Sequence, residues 1–273
     1  MSVKVVTVVK DDLFGLKRTE HSIREQSNIV SWVLVTPNDG SQTHEYAQQL
    51  KSAGIAKAII PDQGSGVYAA MNQAVAEITE GEWLWFLNAG DEFATVNTYQ
   101  LVSKYAQDSI NSWIYGGHYL GSKDGKILGE VKTPSQFRIS NQLFAKKYVS
   151  HQSTIFRAKF LRDLGGFQNH LKIAADWDLM VRASLVDPGL RIPEILSTFY
   201  MGGLSTESRQ QGNRELFQIR KLYLGRKYTL KNYWWFGYRW IRNGIVQNLE
   251  GVSIQLTDRI RTIRLSIRNF TRR

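Results

Sequence analysis

The feature that most constrains the fold is a regular alternation of apolar, strand-like runs and helical stretches near the start of the chain. Residues 3–9 form a valine-rich run, which is typical of a strand buried on both faces of a sheet. Further strands are predicted at residues 32–36, 57–60 and 83–87, and helices at residues 13–26, 44–53 and 67–78. Strand–helix–strand units at this spacing predict an α/β domain with a largely parallel, Rossmann-like sheet.

The pattern is looser in the middle of the chain and becomes helical towards its end. Strands are predicted at residues 113–116, 127–131 and 153–156, followed by a helix at residues 176–185. Residues 207–273 contain little proline and are predicted to be helical throughout. We therefore expect a domain at residues 1–206 and a helical extension at residues 207–273.

Cysteine is absent from the 273 residues, which excludes disulfide bonds and thiolate metal sites and fits a reducing compartment. The N-terminal residues lack the basic start and long apolar stretch of a signal peptide. No uncharged apolar run approaches the roughly 18 residues that a membrane-spanning helix needs. We expect a cytoplasmic protein that is soluble or peripheral to a membrane.

The net charge of +11 is concentrated in the predicted extension. Residues 1–206 contain 20 Lys and Arg and 20 Asp and Glu, so their net charge is zero. Residues 207–273 contain 15 Lys and Arg and four Asp and Glu, which accounts for the whole excess. This asymmetry predicts a neutral body and an extension that meets an anionic surface.

Acidic side chains follow successive predicted strands, each within two residues of a glycine: Asp39, Asp62 and Asp91. Ligands of parallel α/β sheets bind at the carboxyl ends of the strands, where glycine allows the backbone to approach closely. A carboxylate there can hold a ribose hydroxyl, a base edge or a divalent cation. Asx-Gly pairs are also ordinary turn formers, so each pair alone is equally explained by a turn.

Two further acids, Asp176 and Asp178, flank a tryptophan at the start of a predicted helix. Acids in a first helical turn are stabilised by the helix dipole, so a capping role explains them. The alternative is a general base that takes a proton from a hydroxyl group.

In the same order along the chain, several segments resemble motifs of family 2 glycosyltransferases. These segments are Val5 to Val9 with Leu16 and Thr19, Asn38 to Thr43, Asp62 to Asn72, Phe86 to Asp91, His151 to Arg157, Gly165 to Phe167, Asp176 to Leu179, and Tyr200 to Ser205. The resemblance covers about residues 3–205 and is closest to a branch that builds bacterial surface polysaccharides. It implies an inverting enzyme of the GT-A fold.

The resemblance also implies a role for individual residues. Asp91 would bind a divalent metal, Mn²⁺ or Mg²⁺, that bridges the donor diphosphate. Asp176 would be the catalytic base, with Asp178 as the second candidate. The remaining positions would contact the nucleotide sugar or lie on the acceptor side: Thr7, Asp39, Asp62 and Asn88 for the donor, His151 and Gln152 for the acceptor.

Three positions depart from the family pattern. Asn88 and Gly90 replace acids of the metal motif, so that motif keeps Asp91 alone. Ala69 replaces an acid in the Tyr-Asp-Ala-Met segment, and Ala175 replaces the glutamate that usually precedes the base. One carboxylate with diphosphate oxygens still suits a hard cation that keeps several waters.

The resemblance favours a UDP-sugar donor and a saccharide or lipid-linked saccharide acceptor, and leaves the oligomeric state open. A sugar nucleotidyltransferase is a first alternative, but residues 9–15 are not the glycine-rich, basic loop that it needs. A nucleic-acid-binding protein is a second alternative, suggested by the basic extension. The neutral body opposes it, and we expect no nucleic acid partner.

The extension also carries a membrane signature. Apolar residues recur at helical spacing on one face, with arginines between them: Leu256, Ile260, Ile263, Ile267 and Phe270. Residues 233–240 form a dense aromatic stretch upstream. Trp and Tyr favour the headgroup level of a bilayer and Arg favours anionic lipid, so we expect attachment to the cytoplasmic face of a membrane. Packing of these helices on the catalytic domain or on another subunit is the alternative.

Overall fold

The computed structural model describes residues 2–79, 81–144, 148–202, 208–225 and 229–250. Its strands are β1 (Val3–Val8), β2 (Ser31–Thr36), β3 (Ala58–Pro61), β4 (Trp83–Phe86), β5 (Glu92–Phe93), β6 (Trp113–Gly121), β7 (Ile127–Val131), β8 (Thr154–Arg157) and β9 (Leu190–Tyr200). Its α-helices are α1 (Leu13–Arg24), α2 (Gln42–Ser52), α3 (Val67–Glu77), α4 (Thr98–Asp108), α5 (Ile139–Leu143), α6 (Ala158–Asp163), α7 (Ala175–Val186), α8 (Arg209–Leu224) and α9 (Thr229–Glu250). A 3₁₀ turn at His151–Ser153 precedes β8.

The strands of the described chain form one sheet in the order β3-β2-β1-β4-β8-β6-β9-β5, with β7 paired to β6. The four strands from β3 to β4 are parallel, as the alternation of strands and helices predicts. The other half is mixed, because β8 runs antiparallel to β4 and β6 while β6 and β9 are parallel. The predicted α/β fold is confirmed, and the carboxyl ends of β1 to β4 meet at one edge of the sheet.

Helices cover both faces of the sheet, because alternate residues of a strand point to opposite sides. On β1, Val5 belongs to a core with α1, α2 and α4, whereas Val6 belongs to a core with α3, α6 and α7. Both side chains are fully buried. This explains why the valine run has no polar alternation.

The middle of the chain differs most from the expectations. β6 extends to Gly121, beyond the predicted end at residue 116, because it pairs with β9 over most of its length. No strand was predicted at β9, where Pro193 and exposed polar residues interrupt the apolar pattern. β9 is instead held by partners distant in sequence, β6 on one side and β5 on the other.

The described part of the C-terminal extension is helical, as predicted. Leu216 and Ile219 of α8 join the same core as Leu179 of α7, so α8 packs directly on the α/β domain. The predicted boundary after residue 206 and the apolar stripe at residues 256–270 lie outside the described residues, and the division at 206 remains a prediction. Among the helices that the structure describes, none combines the length and apolarity needed to cross a bilayer.

Candidate active site

A cleft of about 610 Å³ opens at the carboxyl edge of β1, β3 and β4. Its walls come from the end of β1, the first turn of α1, the loops after β3 and β4, the 3₁₀ turn and the end of β9. Of the residues predicted to form the site, Asp62, Asn88, Asp91, His151 and Gln152 line this cleft. The cleft is of the size that small-molecule ligands occupy in proteins.

Asp91 follows β4 on a loop that several hydrogen bonds hold in place. The buried Thr19 hydroxyl donates to the Asp91 carbonyl at 2.8 Å and accepts from the Gly90 N–H at 3.0 Å. Gly90 also donates to the Gly15 carbonyl of α1 and has a φ of 92°, which favours glycine. Tertiary contacts with α1 therefore position the Asp91 carboxylate at the cleft.

The Asp91 side chain is 5% exposed although it borders the cleft. Burial raises the pKa of its carboxyl to about 7, against the opposing effects of the His151 charge and of hydrogen bonds from Gln152 and the Tyr200 backbone. A nearby positive charge would stabilise the ionised form of a carboxylate buried in this way. Asp91 is also the acid that remains in the predicted metal motif.

Asp91 could hold a divalent cation only together with ligands that the substrate and water supply. Within the described residues, no three His, Cys, Asp or Glu side chains converge to hold a metal by themselves. Mg²⁺ is nevertheless often bound by one or two carboxylates together with substrate phosphates and water. Asp91 is therefore suited to a cation that arrives with a diphosphate.

Asp176 and His151 are in hydrogen-bond contact beside the cleft. The His151 Nδ1 lies 3.1 Å from the Asp176 Oδ2, and both side chains are largely buried. The Tyr68 hydroxyl lies 2.9 Å from the Ile173 carbonyl and 3.2 Å from the other carboxylate oxygen of Asp176, so its single proton is shared between two acceptors. His151 and Tyr68 line the cleft, and the side chains of His151 and Asp176 are 16% and 11% exposed.

On its other side, His151 contacts the loop after β4. The Asn88 Nδ2 is 3.4 Å from the His151 Nε2, while the buried Asn88 Oδ1 has no hydrogen-bond partner within the described chain. Gln152 is buried next to His151, and its backbone carbonyl accepts a 2.7 Å hydrogen bond from the Trp85 indole N–H. The structure thus brings the predicted acceptor-side residues next to the predicted donor-side loop.

Two predicted site residues are buried in contacts that do not involve the cleft. Thr7 is fully buried in the sheet, where its hydroxyl donates to the Leu87 carbonyl and accepts from the Trp32 indole. Its side chain has no exposed surface in this structure, and its contact with the donor stays a prediction. Asp178 is 4% exposed and turns towards α8, pairing with Arg182 at 2.7 Å and accepting from the Tyr223 hydroxyl at 2.9 Å. These contacts give Asp178 a structural role and oppose its candidacy as the base.

Asp39 and Asp62 both follow strands of the parallel half but differ in exposure. Asp62 lines the cleft and accepts a hydrogen bond from the Gly64 N–H at 2.9 Å. Asp39 is exposed and outside the lining of the cleft, and the backbone N–H of Ser41 holds the pKa of its carboxyl below the usual value. Asp39 keeps the turn role that the sequence left open, and its contact with the donor stays a prediction.

Basic side chains around the cleft were not singled out from the sequence. Four line it: Lys10, Arg18, Lys123 and Lys172. The Arg18 guanidinium stacks on the Tyr200 ring at 4.4 Å and on the Phe14 ring at 5.1 Å. These cations come from different elements, so no local sequence motif marks them as a group.

The segment from Tyr68 to Asn72 positions the wall of the site. Tyr68 stacks on Phe167 at 5.5 Å and donates to Asp176, while the Asn72 side chain makes two hydrogen bonds, both 2.8 Å, with the Phe167 backbone. A Cβ on Gly166 would lie 2.4 Å from the Asn72 Oδ1, so glycine is required there. Two motifs far apart in sequence therefore form one structural unit.

Residues 5–165 match the domain model described as glycosyl transferase family 2. The chain belongs to this family. The resemblance drawn from its motifs is confirmed, and the protein is a glycosyltransferase rather than a nucleotidyltransferase.

Curated relatives of the chain are described as glycosyltransferases. An uncharacterized glycosyltransferase of Mycobacterium tuberculosis is 28% identical over 208 residues, which cover 75% of this chain and 77% of the relative. A PGL/p-HBAD biosynthesis glycosyltransferase of Mycobacterium bovis is 28% identical over 149 residues, covering 53% of this chain and 55% of the relative.

Solved structures share the fold at low sequence identity. S. aureus TarS 1–349 in complex with UDP has a TM-score of 0.61 at 14% identity, covering 81% of this chain. The chain spans 65% of the length of that TarS structure. The mannosyltransferase PcManGT from Pyrobaculum calidifontis, in complex with GDP-Man and Mn²⁺, has a TM-score of 0.61 at 13% identity, covering 97% of this chain and 84% of its own. The expected GT-A type fold is confirmed.

Proposed function

We propose that this glycosyltransferase moves a sugar from a nucleoside-diphosphate sugar to a hydroxyl group of a saccharide acceptor, with inversion at the anomeric carbon. One observation carries the proposal: a buried carboxylate, Asp91, and the His151–Asp176 pair meet at one cleft. The first suits the departing diphosphate and the second suits the attacking hydroxyl. In such a transfer, negative charge develops on the departing diphosphate and the attacking hydroxyl loses a proton, and each event would have its own group in the cleft.

The donor diphosphate would be held by the cations of the cleft. Lys10, Arg18 and Lys172 line it from the β1–α1 loop, from α1 and from the segment before α7. Asp62 would hold the nucleotide, and Asn88 would contact the donor beside Asp91. TarS is described with UDP and with UDP-GlcNAc, and PcManGT with GDP-Man, so both bases occur on this fold. We favour UDP, by the resemblance of the Asp39 motif to uracil-binding segments.

Asp91 would hold a divalent cation, Mn²⁺ or Mg²⁺, together with the diphosphate. When bound, such a cation stabilises the negative charge of the leaving diphosphate as a Lewis acid. On the acceptor side, the Asp176 carboxylate supplies the negative charge on which deprotonation of the hydroxyl depends. Direct attack by that hydroxyl inverts the anomeric centre and needs no covalent enzyme intermediate.

The test is a thermal-shift screen of UDP-GlcNAc, UDP-glucose, GDP-mannose and a TDP-sugar, each with and without Mn²⁺. A ligand that binds the folded state alone stabilises it by about 2.7 kcal/mol at 100 times its dissociation constant. We expect one nucleotide class to raise the melting temperature, and Asp91→Ala to abolish that shift. No shift with any nucleotide sugar, with or without Mn²⁺, would contradict the proposal.

We further propose that the extension attaches the enzyme to an anionic membrane surface, which suits a lipid-linked saccharide acceptor at the cytoplasmic face. The outer face of α9 exposes a row of apolar side chains at helical spacing: Leu230, Trp234, Tyr238 and Ile241. The opposite face of α9 packs on α8 through Phe236 and on Phe144 through Trp235. Aromatic side chains on a helix within a strongly basic segment fit the headgroup level of an anionic bilayer.

Membrane attachment can be tested on the full chain by flotation with phosphatidylglycerol-containing vesicles at low and high salt. Trp234→Gln combined with Ile241→Gln should reduce binding, because both side chains are more than 60% exposed and removing them creates no cavity. Ile110→Gln, which is 96% exposed on the body, is the matched control. Equal flotation of all three proteins would contradict membrane attachment through α9. A concentration-dependent oligomer lost in the double variant would instead identify a subunit interface.

A further inference from the structure

Arg18 lines the cleft from α1 with a positive charge that no acid of the described chain neutralises. Among the residues that the structure describes, no carboxylate lies within 4 Å of its guanidinium and no oxygen accepts a hydrogen bond from it. Arg24 on the same helix instead pairs with Glu20 at 2.7 Å. The N–H donors of Arg18 therefore remain available to a ligand in the cleft.

Two aromatic rings hold this guanidinium in place. It lies over the Tyr200 ring at 4.4 Å and over the Phe14 ring, one turn earlier on α1, at 5.1 Å. The Tyr200 hydroxyl donates to the Glu92 carboxylate at 2.6 Å, and a Cβ on Gly121 would lie 2.3 Å from the Tyr200 ring, so that ring has little freedom to move. A guanidinium over aromatic rings keeps its donors, which lie in its own plane, for an anion with paired oxygens.

Tyr200 also connects Arg18 to the buried acid of the cleft. Its backbone N–H donates to the Asp91 carboxylate, while its ring carries the Arg18 guanidinium. We propose that Arg18 is a catalytic residue that donates to the donor diphosphate and stabilises it as the leaving group. This inference rests on the proposed glycosyl transfer and distinguishes Arg18 from the other cations of the cleft.

Arg18 differs from those cations in how it is held. Lys10, Lys123 and Lys172 are all exposed, and each presents a single ammonium group on a flexible stem. Lys172 also donates to the Asn169 carbonyl at 3.2 Å. A cation that is already oriented needs no reorganisation when charge develops on the leaving group, so it stabilises the transition state more effectively.

The role of Arg18 follows from where charge moves in the transfer. The acceptor oxygen bonds to the anomeric carbon as the bond from that carbon to the diphosphate oxygen breaks, and the electron pair stays on the diphosphate. The acceptor proton leaves to the base on the opposite side of the sugar, and Arg18 neither takes nor gives a proton. A departing nucleoside diphosphate carries more negative charge than one divalent cation neutralises, so a second fixed positive charge lowers the barrier.

Titration calorimetry with UDP and Mn²⁺ tests the binding role, with the diphosphate of another base in place of UDP if the thermal-shift screen selects that base. Arg18→Gln should weaken binding by about 10–100-fold, the usual contribution of hydrogen bonds to a charged group. Arg18→Lys should recover only part of this loss, because an ammonium lacks the planar pair of donors. Lys17→Gln removes an exposed positive charge from the same helix outside the cleft and is the matched control. Wild-type affinity in Arg18→Gln would overturn the inference.

Binding of uridine, which has no phosphate, separates recognition of the diphosphate from a structural effect. Saturation-transfer NMR measures such weak binding, and it should give the same affinity for wild type and Arg18→Gln. A loss of uridine binding as large as the loss of UDP binding would mean that Arg18 shapes the nucleoside part of the site, and would overturn the inference.

Single-turnover release of nucleoside diphosphate, at saturating concentrations of the donor that the screen identifies, tests the leaving-group role. Charge on the diphosphate grows as its bond to the sugar breaks, so Arg18→Gln should lower this rate by at least about 10-fold even when the donor is fully bound. Lys17→Gln should keep the wild-type rate. An unchanged rate in Arg18→Gln would overturn the leaving-group role.

A double-mutant cycle tests whether Phe14 acts through Arg18. The Phe14 ring is 72% exposed, so Phe14→Ala creates no cavity. It should weaken UDP binding several-fold in the wild type and have no effect in the Arg18→Gln background. An equal loss in both backgrounds would mean that Phe14 contacts the nucleotide itself, and would overturn its role in orienting Arg18.

The outcomes separate the inference from the proposed function. A wild-type protein that binds no nucleotide sugar would overturn both together. A wild-type protein that binds one, with Arg18→Gln and Lys17→Gln binding the diphosphate equally well, would overturn the inference alone. Weaker diphosphate binding and a slower single turnover confined to Arg18→Gln, with uridine binding retained, would support it.

Discussion

The Glu215 carboxylate of α8 accepts a 2.9 Å hydrogen bond from the backbone N–H of Ala174, the residue immediately before α7. The same carboxylate accepts from the N–H groups of Lys172 and Ile173, at 3.0 and 2.9 Å. Ala174 has no side chain that could cap the helix, so a residue of the C-terminal extension caps α7 instead. The extension therefore helps to position the helix that carries Asp176.

Replacement of Glu215 by Ala should lower both stability and turnover. Unpaired N–H groups at a helix start cost about 1–2 kcal/mol in typical capping substitutions. Urea denaturation should show this loss in Glu215→Ala, and Glu215→Gln should recover part of it through its remaining carbonyl oxygen. Exposed Glu45, replaced by Gln, serves as the control. Unchanged stability in Glu215→Ala would contradict the capping role.

The pH dependence of stability should report the burial of Asp91. The pKa of its carboxyl is about 7 in the folded protein, against an ordinary value of 3.8. Between these pH values the folded state binds more protons than the unfolded chain, so the free energy of unfolding falls as pH rises. Asparagine does not titrate, so Asp91→Asn should gain stability relative to wild type between pH 4.5 and 7.5. Urea denaturation at each pH measures this difference, and a constant difference would contradict the burial of Asp91.

Removing the divalent metal should weaken binding of the nucleotide sugar donor. Because Asp91 is a single carboxylate, we expect Mn²⁺ alone to change the melting temperature little and Mn²⁺ with UDP to raise it clearly. EDTA and Asp91→Ala should each remove that joint effect and abolish transfer. Asp108→Ala, an exposed acid at the end of α4, should leave both intact. Full transfer in EDTA would exclude the cation while leaving the fold unaffected.

Asp176 and Asp178 should respond oppositely to replacement by asparagine. Asp178→Asn weakens a buried ion pair with Arg182 and a bond from Tyr223, so it should destabilise the protein by about 1–3 kcal/mol while folded molecules keep their turnover. Asp176→Asn should lower turnover by about 10²–10⁴-fold with donor binding retained. Denaturation curves and turnover per folded molecule distinguish the two, and the reverse pattern would place the functional acid at Asp178.

Sequence alone predicted the elements whose signals are local. The valine run of β1 and the helices between the parallel strands produce their own periodicity, and β7 was predicted at its observed bounds. Asp62 and Asp91 were predicted as site residues because each follows a strand of the parallel half, and such strands end at one edge. His151 and Gln152 came from a motif, and they do line the cleft.

What only the tertiary structure decided is which side chains face one another. Thr7 and Asp178 carry the residue types that a site needs, but packing turns the first into the sheet and the second towards α8. The contact of His151 with Asp176 joins residues 25 positions apart, and the cap from Glu215 to Ala174 joins residues 41 apart. Neither pair leaves a periodic trace in the chain, because the orientation of a side chain depends on neighbours that long-range folding supplies. Sequence thus determined the sheet edge that holds the site, and tertiary packing determined which side chains at that edge face one another.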